Sequence, residues 1–215
     1  MAFRDFWINV RTAARLPASE AFVDSPKLDA ETIESALRGT THWLTPRSVE
    51  GFDPKDLDFL PEPERSRLAK LVTDFLAVAK TLKPRTAPPD DTVKKALPLF
   101  QEIVQALEFD HYGDDEAFRL GKLIEQDIEH DRPPELAELR FVTGLDHTGD
   151  PGLWIWVFLS DDVSKTDKAF LKAARRLDEY LNPIASEISR RFVPDRFPYL
   201  SFRPLAEQSM PVEAS

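Results

Sequence analysis

The chain has 215 residues, 42% hydrophobic and 31% charged, which is the balance of an ordinary folded protein with room for one core or two small lobes. It contains no cysteine, which removes disulfides, thiolate nucleophiles, iron–sulfur clusters and cysteine-based zinc sites together. A net charge of −10 disfavours nonspecific attraction to nucleic acid or anionic lipid.

No stretch approaches the roughly 20 apolar residues that span a bilayer, and the first residues lack the apolar core of a secretory signal, so a cytoplasmic protein is expected. The charge is unevenly placed. Glu108 to Glu138 holds eleven acidic and three basic residues, whereas Val163 to Pro204 holds nine basic and five acidic. Pairing between these two segments, within the chain or between subunits, is the simplest account of both.

The opening "AFRDFWINVRTAARL" sets Phe3, Phe6, Trp7, Val10, Ala13 and Ala14 on one helical face. Such a face covers a core or docks a partner, and Phe6 and Trp7 are the candidate partner-binding residues. A short helix from Asp29 to Arg38 follows, then an irregular segment in which His42 and Trp43 are candidates to line a pocket. Glu62 begins a strong helix running to about Leu82. The linker "KPRTAPPDD" then precedes an amphipathic helix from Asp91 to about Glu108, whose stripe keeps phase across Pro98. "GDDEAFRLGKLIEQDIEH" reads as a further helix, the third of the run that starts at Glu62, with Asp114 to Glu116 at its positive end.

Beyond Pro134 the pattern changes. "LRFVTGL" and "LWIWVFL" are strands, and "DHTGDPG" between them is turn chemistry, predicting a hairpin. Both alternating sets of the second strand are apolar, so it should be central and buried on two sides. A long helix from Ser164 to about Arg191, one kinked helix or two collinear ones across Asn182 and Pro183, and a third strand, "FPYLSF", complete a ββαβ unit, whose last two strands run parallel if the third joins the sheet beside the second. The predicted fold is α+β: an N-terminal helical layer of four to five helices over residues 1–134 packs on a three-stranded β-hairpin–α–β sheet over 135–204. A flexible tail, 205–215, follows, and the whole is expected to fold as one globular unit.

Chemistry has few places to sit. The turn offers Asp146, His147 and Asp150, but Asp and Gly are what a turn requires, and adjacent ligands rarely converge on one ion. Asp161 and Asp162 lie where a strand hands over to a helix, an edge at which carboxylates hold magnesium against a phosphate. The two groups are separated by the length of the second strand, roughly 25 Å, so they cannot form one cluster in one subunit. Asp127 and His130 share a helical face with metal-ligand spacing. Lys165, Lys168, Lys172 and Arg175 form a basic strip. The chain carries no phosphate-loop, dinucleotide or nucleophile-elbow motif.

Two functions fit. The first is a non-catalytic protein-interaction, accessory or inhibitor domain with an unidentified protein partner, with no metal or cofactor and with a homo-oligomer possible. The second is a metal-dependent phosphate-handling enzyme with Asp161, Asp162 and His147 as its candidate catalytic residues.

Overall fold

In the computed structural model, which describes residues 3–14, 53–79, 90–164 and 167–207, six helices and a three-stranded mixed sheet follow one another in the α+β order the sequence predicts. The chain divides into two units between Phe109 and Asp110. The helix read over 29–38, together with His42 and Trp43, lies outside the described residues.

The first unit is helical. Helix α1 (Phe3–Ala13) buries Phe3, Phe6, Trp7 and Val10 of the predicted stripe, with Phe6 and Trp7 at 2% and 1% exposure. Trp7 packs edge-on against Phe109 at 4.5 Å, and Phe3 against Phe59 at 5.9 Å. A 3-10 turn at Pro54–Leu57 is capped by Asp53, whose carboxylate accepts from the Lys55 N–H at 2.9 Å. Helix α2 (Glu62–Ala79) and helix α3 (Asp90–Leu107) pack together through Phe75 and Phe100, 5.7 Å apart. Pro98 sits on the exposed side of α3 and leaves the stripe from Val93 to Leu107 in phase. The lost backbone bond is therefore carried by a helix anchored by packing on either side of it.

The second unit begins with Asp110–Gly113, which runs beside the first strand: the Phe141 N–H donates to His111 O and the Gly113 N–H to Phe141 O. This short pairing covers part of an otherwise open strand edge. Helix α4 (Asp115–Ile128) follows, then β1 (Leu136–Leu145), β2 (Pro151–Leu159), a one-turn helix α5 (Asp161–Ser164), helix α6 (Asp167–Phe192) and β3 (Phe197–Pro204). Strand β2 is central, antiparallel to β1 and parallel to β3.

Period-two alternation gives β2 two different faces. Leu153, Ile155, Val157 and Leu159 lie with Leu139 and Phe141 beneath α4 and α6, which pack on the sheet and on each other. Helix α4 therefore serves the sheet, and its Gly121 is a contact point: a Cβ there would stand 2.5 Å from the Tyr112 ring and 2.7 Å from that of Phe141. The second face carries Trp154, Trp156 and Phe158. Trp156 and Phe158 are buried, but Trp154 is only half-buried, so two-sided burial stops short of one end of the strand. Leu205–Glu207, read as the start of the tail, instead forms a 3-10 turn, because apolar Leu205 packs on Trp156 and Phe158.

Candidate functional site

The structure accounts for the sequence candidates one by one. Phe6 and Trp7 are core residues of the first unit, which leaves α1 no exposed aromatic with which to dock a partner. Asp127 and His130 are both exposed, and Asp161 and Asp162 are exposed on a helix of four residues. The register sets the Leu145–Pro151 and Leu136–Leu159 pairs at opposite ends of the hairpin, so His147 and the Asp161–Asp162 pair stand apart. Among the described residues no group of three or more His, Asp or Glu side chains is arranged to hold a metal ion. None of their helices is long and apolar enough to cross a membrane.

Asp146 organises the turn instead. Its Oδ1 accepts from the Thr148 N–H at 2.8 Å, the Thr148 hydroxyl at 2.6 Å and the Asp150 N–H at 3.0 Å, and its Oδ2 from the Tyr199 hydroxyl at 2.6 Å. The Thr148 and Tyr199 hydrogen bonds hold its carboxyl well below the usual carboxylate range. The same bond to Asp146, with burial and the charges of Asp146 and Asp150, holds the Tyr199 hydroxyl above its ordinary value. Gly149 supplies the left-handed backbone the turn needs, at φ +85°.

The opposite-charge segments do pair within the chain. Arg196 grips Glu116 through Nε at 2.6 Å, and Arg176 reaches Glu135 at 2.7 Å. A second charged cluster was invisible in the sequence. His111 Nε2 lies 2.8 Å from Glu125 Oε1, the Tyr112 hydroxyl donates to Glu125 Oε2, and His111 Nδ1 stands 3.8 Å from Glu138, which accepts from Arg140 Nε at 2.7 Å. Burial pushes the Glu125 carboxyl up, but the His111 hydrogen bond and charge, the Tyr112 hydroxyl and Lys122 outweigh it and leave it lowered. A carboxylate–imidazole–carboxylate chain can relay a proton, but each end here is occupied, by Tyr112 and by Arg140. Its visible work is to tie the strand beside β1 to α4.

In the first unit a cleft of about 310 Å³ opens beside α2 and α3, lined by Leu60, Glu64, Arg67, Leu68 and Gln105 among others. That is the lower end of small-molecule site volumes. Its Arg67 is directed to Glu102 at 3.7 Å, and both side chains are largely exposed.

The remaining arrangement is a ring platform at the turn end of the second sheet face. Trp154 and Tyr199 are register partners and stack at 5.4 Å and 26°, and Phe197 adjoins Tyr199 at 5.1 Å. The indole lies down on glycine: a Cβ on Gly152 would come within 2.8 Å of it, and one on Gly144 within 3.2 Å. Phe197 is 60% exposed, and Leu145, in the last position of β1 at the same end of the sheet, is 68% exposed. Asp146 and Asp150 flank the rings. Aromatic rings, one large exposed apolar side chain and fixed negative charge together make a surface suited to contact with another molecule. The signal for it in the sequence was the Gly-x-Trp of β2 and the Phe-Pro-Tyr of β3, which only the parallel register brings together. Compared with protein families, curated proteins and solved structures, the chain finds no match.

Proposed function

We propose that this chain is a non-catalytic interaction or accessory domain of the cytoplasm, and that it engages a protein partner through the turn end of its sheet. The observation that carries this reading is the Trp154–Tyr199–Phe197 platform, ordered from beneath by two glycines and ending in a phenylalanine that is 60% exposed. A large aromatic ring left in water beside other rings costs free energy that a monomer recovers only on binding. The prominent charged groups of the same unit support it from the other side. Glu116, Glu125, Asp114 and Asp146 are each engaged in structural hydrogen bonds. The cysteine-free composition and acidic net charge fit a cytoplasmic setting and disfavour nucleic acid as the partner.

The test is comparative capture from the native cell with the full chain as bait. Phe197→Ser should lose the partner that the unaltered chain retains. Leu171→Ser, which removes an equally exposed leucine from α6, should keep it. Equal recovery by both variants, with folding of each verified by circular dichroism, overturns the reading.

A further inference from the structure

The second sheet face already shows what its rings accept. Arg203 lies over the Trp156 ring with Cζ 4.5 Å from the centroid, and Arg140 lies over Phe158 at 5.3 Å. Both cations are arginines, and both come from strands neighbouring β2. The third ring of that row, Trp154, has the same orientation on the same strand, yet among the described residues no cation lies over it or over Tyr199 and Phe197. Carboxylates stand at the hydroxyl end of its stacking partner Tyr199 instead. Asp146 is fixed by its four hydrogen bonds. Asp150 is exposed, and its Oδ2, 2.9 Å from the Thr148 hydroxyl, shares that single proton with Asp146 Oδ1.

We propose that the Trp154–Tyr199–Phe197 platform seats an arginine side chain of a partner polypeptide, its guanidinium over the near-parallel Trp154 and Tyr199 rings, its stem against the tilted Phe197 ring and its charge facing Asp150 and Asp146. The inference rests on the interaction reading above and names the chemistry of the partner. Arginine fits better than lysine because a planar guanidinium stacks on rings and still directs N–H groups outward to carboxylates, whereas an ammonium is a compact, strongly hydrated charge. The acidic rim sets the sign: a like-charged or phosphorylated segment is repelled there, and the chain's net charge of −10 adds to the effect.

The test is a nuclear magnetic resonance titration of the full chain, following the Trp154 indole N–H and the Gly144 and Gly152 amides. Three probes are compared: acetyl-Gly-Arg-Gly-amide, its citrulline counterpart, which is isosteric but uncharged, and cellotriose as a neutral ring-stacking ligand. The arginine peptide should shift these resonances saturably, with affinity about five- to tenfold above the citrulline peptide. Asp150→Asn, a surface change that leaves the turn hydrogen bonds to Asp146 in place, should reduce that preference without unfolding the chain. Equal binding of the two peptides, binding of cellotriose in preference to either, or no shift at millimolar arginine peptide would each overturn the proposal. Those outcomes leave the interaction reading standing if capture of the native partner still depends on Phe197.

Discussion

Arg196 and Glu116 are 80 residues apart in the chain and meet in a two-pronged ion pair, Nε to Oε1 at 2.6 Å and Nη2 to Oε2 at 2.8 Å. The same guanidinium donates to Gly152 O at 2.8 Å, and the Arg196 carbonyl accepts from the Ser189 hydroxyl at 2.7 Å. One residue thus joins the start of α4, the turn end of the sheet and the last turns of α6. Its side chain is 14% exposed, so removing the charge strands a half-buried glutamate. Arg196→Met should lower the free energy of urea unfolding by about 2–3 kcal/mol, with Arg196→Lys recovering only part, because an ammonium cannot fork across both oxygens. Two variants within experimental error of the parent would contradict this role.

Gly121 is the point of closest approach between α4 and the sheet. Tyr112 and Phe141, the rings a Cβ would strike, are both fully buried and stacked on each other at 5.7 Å, so neither has space to retreat. Gly121→Ala gains helix propensity but overpacks, and a net destabilisation of about 1–3 kcal/mol is expected in urea unfolding. A stabilised variant would show that the helix can shift away at little cost.

The Glu125 carboxyl is lowered from its ordinary value of 4.5 in the folded chain. A depressed folded value stabilises the native state above the unfolded value, and that contribution is lost as pH falls through the folded one. Unfolding measured from pH 7 downward should therefore show the parent well above Glu125→Gln at neutral pH. The gap should close below the ordinary carboxylate range. A gap that widens on acidification would mean that His111 and Tyr112 do not hold the carboxylate as described.

Much of this architecture was legible because the periodicities were clean. The doubled apolar alternation of β2 pointed to a central strand, and the stripe in phase through Asn182 and Pro183 allowed one kinked helix or two collinear ones, of which α6 is the first. The electrostatic pairing of the acidic and basic segments followed from counting charges. The His111 network was hidden because Glu125, 14 residues from His111 and 13 from Tyr112, sits on a helix whose rotation the sequence does not specify. The ring platform was hidden for a related reason. Trp154 was grouped with Trp156 and Phe158 by alternation, and only the parallel register opposite Tyr199, with Gly144 and Gly152 below, distinguishes it from them. Turn chemistry drew notice to Asp146 and His147, where the aspartate serves the backbone and the histidine is exposed.

Asp161 and Asp162 provide the cheapest check on the enzymatic alternative. With both carboxylates exposed on a single helical turn, the melting temperature should be unchanged by Mg²⁺ or Mn²⁺, since only an ion that binds the native state stabilises it. A rise that Asp161→Asn and Asp162→Asn abolish would restore the phosphate-handling reading.

The partner-binding surface proposed for this chain is the turn end of its sheet. Hydroxyl-radical footprinting of the chain alone and in complex with the captured protein reads it directly, because Trp154, Tyr199 and Phe197 are reactive and accessible while Ile8 and Leu171 report on other exposed surface. The account predicts protection of Phe197 and Tyr199 on complex formation with Leu171 and Ile8 unchanged. Protection of Leu171 or Ile8, with Phe197 as reactive in the complex as in the free chain, would contradict it.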